Sequence, residues 1–454
     1  MMGRQVGEAQ LFYIFSVDRH VPADHLLRRV DAVLDLSFIR TSLAEHYSHT
    51  GRPSIDPELM IRMLLVGYLY GIRSETRLCE EVHLNLAYRW FCRLGLDSDV
   101  PERSTFSKNR HGRFREGDLF RQLFEEVVRR CVTAGLVDGT GAAVDGSVVE
   151  ADASRERRLP GDRLPEAWSN RESQAQPVRA YLEALDAASA PARDEPKQAA
   201  PKHLSETDPQ AAWSTKTGAG RFRYETNYLV DTAHAVILDV EATPARLSQE
   251  IAAAKRMLQR TRDRLGLKPQ RLAADGSYGT GPFLSWLMER GVEPHVPVLE
   301  RKHQTKGRLT RDAFDFDRKR NLFVCPAGRE LTYRGAHYAA RVHTYRSKAS
   351  DCAACPERQG CTSGRVRTIV RLFDEDARDH VRRLRDTPAY AQSCRERKKV
   401  EMLFAHLKRH LKLTRLRLRG LAGASEEFLL AATAQNLRKL VKLTARPTLA
   451  PSTA

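Results

Sequence analysis

Apolar residues in the first part of the chain recur at helical spacing. Leu26, Leu27, Val30, Val33 and Leu34 mark an amphipathic stretch within 23–47. Asp56-Pro57-Glu58 combines a cap residue, a first-turn proline and an early acid, and predicts a helix start. That helix carries Leu59, Ile61, Met63, Leu64, Leu65, Tyr68 and Leu69 and stops at Gly71. Ser74 opens a second, with Leu78, Val82 and Leu86, and Pro101 to Phe106 opens a third, with Lys108, Arg110, His111, Arg113 and Arg115. Further on, the pattern changes. Residues 143–149 form a short β-rich run holding Asp145, and strand signals return at 222–230, through Phe222, Tyr224, Thr226 and Tyr228, and at 235–242. A helix over 247–265, a β-run at 271–274 ending in Asp275-Gly276, a helix over 281–290 and a strand at 294–298 follow. This alternation predicts an α/β core. Residues 388–413 and 426–443 read as helical again.

Two stretches interrupt the pattern. Residues 150–212 are rich in Ala, Pro, Arg, Glu and Ser and read as linker around a helix at 180–190. Residues 300–375 hold short strand-like pieces and four of the eight cysteines. At 454 residues the chain exceeds one ordinary core. The predicted division is a helical region at 1–130, the first part of the core at 140–300 with the 150–212 insertion, a cysteine insertion at 301–375, and a C-terminal helical part of the core at 376–445.

Charge narrows the partner. A net charge of +18 is the footprint expected of a protein that binds a polyanion, nucleic acid first, with an arginine-rich background composition as the alternative. Positive charge gathers at Arg301-Lys302 through Lys306-Gly307-Arg308, at 395–399 and at 408–419. The helix with Arg110 and Arg113 suits a DNA groove. A plain helical bundle with a solvated basic face fits the same pattern. No apolar run approaches the roughly 18–20 residues that cross a membrane. The apolar stretch in residues 1–15 is short and interrupted, so no secretory signal is expected and the predicted location is cytoplasmic.

Three acids stand out by placement. Asp145 lies inside an apolar β-run, where a charge is costly without a partner or ligand. Asp275 ends a β-run, at the strand end where α/β sheets bind ligands. Glu401 shares a helix face with Arg397 and Lys408, at i−4 and i+7. Carboxylates brought together repel unless a divalent cation neutralises them, and hard oxygen ligands beside phosphate select Mg²⁺ or Mn²⁺. Singly, each has a plainer explanation: a turn or cap for Asp275, a surface ion pair for Glu401.

Ala143-Val144-Asp145-Gly146-Ser147 resembles the first-acid strand of bacterial insertion-sequence transposases of the DDE class, and Ala273-Ala274-Asp275-Gly276-Ser277-Tyr278-Gly279 resembles their second. Arg397-x3-Glu401-x6-Lys408 is similar to their third-acid helix, Tyr-x2-Arg-x3-Glu-x6-Lys, with Cys394 at the tyrosine position. The region 55–115, with Arg103-Ser104-Thr105-Phe106-Ser107, is similar to their N-terminal domain. The resemblance implies a ribonuclease-H-like core holding Asp145, Asp275 and Glu401, and nicking of transposon ends followed by strand transfer of the freed 3′-hydroxyls. It implies terminal inverted repeats and target DNA as partners, a homodimer in the synaptic complex, and association with the nucleoid. A metal nuclease that does not join, and an inactive DNA-binding regulator, are the alternatives.

Cys325, Cys352, Cys355 and Cys361 include one CxxC pair and suit a structural Zn²⁺ site, redox-active or merely buried thiols being the alternatives. Trp168, Trp213 and Trp286 read as packing residues; His406 and His410, on the basic helix, are candidate phosphate contacts.

Overall fold

In the computed structural model, which describes residues 14–48, 50–51, 54–189, 201–216, 218–246, 249–300 and 308–444, the chain opens with helices that follow its caps. They are α1 (Val17–His20), α2 (Leu26–Val33), α3 (Phe38–Leu43), α4 (Pro57–Tyr70), α5 (Glu75–Leu84), α6 (Leu86–Phe91), α7 (Arg103–Asn109) and α8 (Leu119–Thr133). Asp56 caps α4 through Glu58 N, and Gly71 ends it at φ 66°, a left-handed conformation that glycine adopts without a Cβ clash. Ser74 caps α5 as predicted. The 23–47 stretch forms two helices rather than one, and the basic helix after Pro101 breaks at Gly112, whose φ/ψ is non-helical.

Strand β1 (Gly141–Glu150) follows, then β2 (Arg158–Pro160), α9 (Gln176–Ser189), β3 (His203–Ser205), β4 (Ala212–Ser214), β5 (Arg221–Asp231), β6 (Ile237–Pro244) and α10 (Gln249–Leu265). Next come β7 (Arg271–Ala273), α11 (Gly281–Glu289), β8 (Glu293–His295), β9 (Asp315–Asp317), β10 (Leu322–Val324), β11 (Glu330–His337), β12 (Val342–Ser347), α12 (Ala349–Ala353), α13 (Arg358–Cys361) and β13 (Thr368–Leu372). Helices α14 (Glu375–Leu384), α15 (Pro388–Arg409) and α16 (Gly420–Thr444) close the chain. It is a mixed α/β protein with a helical N-terminal region. Among the described residues no helix is long and apolar enough to cross a membrane. The basic residues Arg301, Lys302 and Lys306, and the stretch expected to lack a secretory signal up to residue 13, lie outside the described residues.

The chain divides into two units. One is drawn from Met1–Asp138, Asp145–Leu267 and Lys399–Ala454, the other from Gly139–Val144 and Lys268–Lys398. In the first, β5 pairs antiparallel with β6, Tyr228 opposite Val240, and at its start with β4. Its other hydrogen-bonded neighbour is β1. Both faces of β5 are buried, and α16 packs on α8, β6 and α4. The stretch expected to be linker holds order where it is described: α9 buries Val178 and Leu182 against Trp168. In the second unit the first residues of β1 pair in parallel with β7, Ala143 opposite Ala273, and β7 pairs in parallel with β8. This unit also holds the antiparallel sheet β13-β12-β11-β10-β9, packed around Phe314, Phe323, Leu331, Tyr345, Cys361 and Ile369.

Asp208 is fully buried in the first unit, where the Tyr224 hydroxyl donates to its Oδ1 at 2.6 Å. Burial pushes its carboxyl up to about 6, against the opposing hydrogen bond from Tyr224. A folded-state value above the unfolded one stabilises the fold fully at low pH, and the contribution is lost as pH rises through 6, about 3 kcal/mol in all. Urea unfolding of the parent from pH 4 to 7.5 should therefore show stability falling with pH, and Asp208→Asn should flatten that slope; equal slopes in the two proteins would contradict the assignment.

Candidate active site and cysteine cavity

Asp145 sits where β1 changes character. Residues Gly141–Val144 are buried, and from Asp145 the strand is half-buried for four residues. Its Oδ1 accepts the Gly146 N–H at 2.8 Å. A glycine follows for a steric reason: a Cβ at 146 would lie 3.0 Å from the Glu225 carboxyl carbon. Glu225, buried on β5, is reached by Lys216 Nζ at 3.1 Å, which also lies 2.8 Å from Glu250. Burial, then the neighbouring Glu250, pushes the Glu225 carboxyl above its ordinary range despite Lys216. Sequence reasoning passed over Glu225. It lies in the strand run 222–230, between Tyr224 and Thr226.

Asp275 follows β7 by two residues and is half-buried. It caps a single 3-10 turn, Gly276–Tyr278: its Oδ1 accepts from Ser277 N at 2.8 Å and from Ser277 Oγ at 2.5 Å. The plainer role expected of an aspartate at a strand end is thus present, whatever else the carboxylate does.

Helix α15 presents Glu401 exposed and Arg397 and Lys408 half-buried, while Val400, Leu403 and Leu407 bury the other side. Burial, then Arg223, lowers the Lys408 ammonium below its usual range. His406 is pushed down to about 4 by burial first, then by His410, Arg438 and Lys439. Beyond the helix, Arg415 and Arg419 are spent on Asp152, at 3.1 and 3.0 Å.

Arg110, an expected DNA contact, is 6% exposed and pairs with Glu75 at 3.1 Å. Arg113 is half-buried, lies over the Tyr47 ring at 4.2 Å and donates to Asn109 Oδ1 at 3.1 Å.

The four cysteines predicted to act together line one cavity of about 30 Å³ in the second unit. All are free thiols. Cys325 opens a tight turn in which Gly328 N donates to Cys325 O at 2.8 Å and Arg329 N to Cys325 Sγ at 3.3 Å. The Ser347 hydroxyl lies 3.0 Å from Cys352 Sγ. Burial pushes the Cys361 thiol up, Arg367 opposes it, and the other three cysteines add to the rise. Among the described residues, no three His, Cys, Asp or Glu side chains are grouped closely enough to hold a metal ion. That holds for the four cysteines as they stand.

Residues 15–112 match the family described as Transposase domain (DUF772), and residues 324–441 match the family described as Transposase DDE domain. Both matches are to transposase domains, one in the N-terminal helical region and one that takes in α14, α15 and most of α16. Among solved structures it is similar to a piggyBac transposase synaptic complex with hairpin DNA, at 8% identity and TM-score 0.34 over 93% of this chain and 82% of that one. It is also similar to a Mos1 transposase paired-end complex with the left transposon end, at 12% identity and TM-score 0.15 over 57% of this chain and 63% of that one. Both likenesses are too weak to bear on the fold.

The contact between Gly146 and Glu225 is testable by a double-mutant cycle. Gly146→Ala should destabilise the parent by about 1–3 kcal/mol through overpacking. It should cost clearly less in a Glu225→Ala background, where the carboxyl that the new methyl meets is gone. Additive losses in urea unfolding would show that the two positions are independent.

Proposed function

We propose that this chain is a DNA transposase with a ribonuclease-H-like catalytic core, in which Asp145, Asp275 and Glu401 form the reacting site. The observation that carries the reading is the hydrogen-bonding around β1. Its partners are β5, which forms an antiparallel pair with β6, and the parallel strand β7, itself parallel to β8. Ala143 pairs with Ala273, and each acid follows its alanine by two residues. Reacting groups of α/β sheets gather beyond the carboxyl ends of parallel strands. The matched DDE domain includes Arg397, Glu401 and Lys408.

Mg²⁺ or Mn²⁺, held by Asp145, Asp275 and Glu401, would supply activation of a water or 3′-hydroxyl and stabilise the leaving oxygen. Arg397 and Lys408 flank Glu401 on its helix face and would hold phosphates there, Arg397 by a planar fork and Lys408 as a point charge. The reaction is hydrolysis of a phosphodiester at each transposon end, freeing a 3′-hydroxyl. That hydroxyl then attacks a target phosphate, loses its proton, forms the new P–O bond and displaces the target's own 3′-oxygen. Terminal inverted repeats and target DNA are the partners, two copies of the chain hold the paired ends, and the nucleoid is the place of action.

The test is cleavage and joining of DNA carrying the element's own ends, with Mg²⁺, by the parent and by Asp145→Asn, Asp275→Asn and Glu401→Gln. Each variant should lose on the order of a hundredfold or more in cleavage while still binding DNA. Variants that cut as well as the parent would remove these acids from the mechanism. Cutting without joining would make the protein a nuclease, and binding without cutting in the parent would make it a regulator.

We also infer that Cys325, Cys352, Cys355 and Cys361 bind a structural Zn²⁺. What supports this is their convergence on one small cavity, with the Arg329 backbone N–H donating to Cys325 Sγ. Binding requires the four thiols to draw together around that cavity, since they are not grouped for an ion as they stand. Elemental analysis of the purified protein should find one zinc per chain, and chelation should lower its melting temperature. A zinc-free protein indifferent to chelator would make these buried thiols.

A further inference from the structure

The first unit contains a cleft of about 790 Å³ remote in character from the acids just described. Five of its lining residues are cations: Arg29 from α2, Lys399 from α15, and Arg438, Lys439 and Lys442 from α16. Among the described residues, no carboxylate lines it. Elsewhere several buried arginines are matched by acids, as in Arg121 with Asp239 at 2.5 Å and Arg62 with Asp31 at 2.7 Å, whereas this lining carries one sign alone among the described residues.

Two of the cations are held by backbone carbonyls. Lys399 Nζ donates to the carbonyls of Thr232 and Ala233, and an Arg438 guanidinium NH₂ donates to Leu69 O. Arg438 Nε is buried with no hydrogen-bond partner. Lys439 is lowered by burial first, then by Lys442 and Lys399, the mark of like charges crowded together. The floor is apolar, with Leu26, Leu403 and Val441, and Met402 and Leu443 stand exposed in its lining at 71% and 44%. Cations above an apolar floor match a sugar–phosphate backbone, whose charge lies on one edge and whose sugars present carbon. On α15, Lys399 and His406 lie roughly 140–160° around the helix from Glu401. What binds in the cleft therefore meets a different face from what binds beside Glu401.

We propose that this cleft holds the sugar–phosphate backbone of a second DNA segment, separate from the one presented to Glu401. It rests on the transposase reading above, in which one protein handles both an element end and a target. Arg29 and Lys442 are exposed and carry two of the charges, so they can be changed with little risk to folding.

The experiment is equilibrium binding of a labelled short duplex to the full chain across a salt series, without metal. It compares the parent with Arg29→Gln/Lys442→Gln, and with the charge-matched control Arg179→Gln/Arg262→Gln on exposed positions of α9 and α10. The parent should bind two duplexes per chain and the cleft variant one. Any residual binding of the second duplex by the cleft variant should show a slope of log K against log salt shallower by about 2, close to one for each phosphate no longer neutralised. The control should match the parent. An unchanged cleft variant, a control that falls equally, or a single duplex bound by the parent would each overturn the proposal. Polyglutamate bound by the parent and released by the cleft variant, with DNA binding intact, would give the cleft to an acidic protein segment instead. Binding needs neither metal nor the three acids, so this result and the cleavage result stand or fall separately.

Discussion

A helix buried on nearly every side can carry polar side chains only if each is matched, and α16 carries four that decide how the first unit is assembled. Glu427 Oε1 accepts the backbone N–H groups of Arg417 and Leu418 at 2.6 and 2.7 Å, and its other oxygen pairs with Arg73. Glu426 takes Arg115 Nε at 2.7 Å. Gln435 donates to Leu403 O at 2.8 Å and accepts the Tyr228 hydroxyl at 3.0 Å. Asn436 bonds both backbone groups of Ile237, at 2.9 and 2.8 Å, as a strand partner would. Each such group left unmatched costs about 1–3 kcal/mol, so four of them together rival the roughly 5–15 kcal/mol by which a folded domain exceeds its unfolded state. The N-terminal helices, the start of β6 and α15 are thereby tied to one buried element.

The same demand explains where much of the positive charge goes. Arg73, Arg110 and Arg115 face Glu427, Glu75 and Glu426, and Arg121 and Arg260 share Asp239 at 2.5 and 2.8 Å. A buried guanidinium without its acid is expensive, which is why these pairs occur together. The +18 excess is therefore not spread evenly over the molecule. Further cations lie on α15 and at the end of α16, among them Lys399, Lys439 and Lys442.

Local signals were legible in the sequence because they act within a turn or two. Asp56 with Gly71, and Ser74, bound their helices where the caps placed them. Strands β5 and β6 and the parallel run of β7 and β8 appear within a few residues of the patterns that predicted them. Other features depend on tertiary context. Residues 150–212 carry few apolar groups, but Trp168, Val178 and Leu182 suffice for a small cluster of their own. Arg110 looked like part of a basic face because Glu426, which comes within 4.0 Å of it, lies more than 300 residues on in the chain. The cysteines could be grouped by spacing, yet spacing says nothing of how far apart the sulfurs sit.

Glu225 shows why proximity to a reacting residue does not make an acid part of the reaction. It lies closer to Gly146 than any other side chain found there, but it is buried, and Lys216 already neutralises it together with Glu250. Burial raises its hold on a proton, so at that position the carboxyl is poorly suited to bind a second cation, and any ion would first have to displace the lysine. Its effect is steric and local: it fills the space above residue 146 and leaves room only for glycine after Asp145. Glu401, by contrast, is exposed on α15 with a cation on either side. A carboxylate that must meet a charged, hydrated substrate belongs at the solvent, and one that shapes a strand belongs in the core.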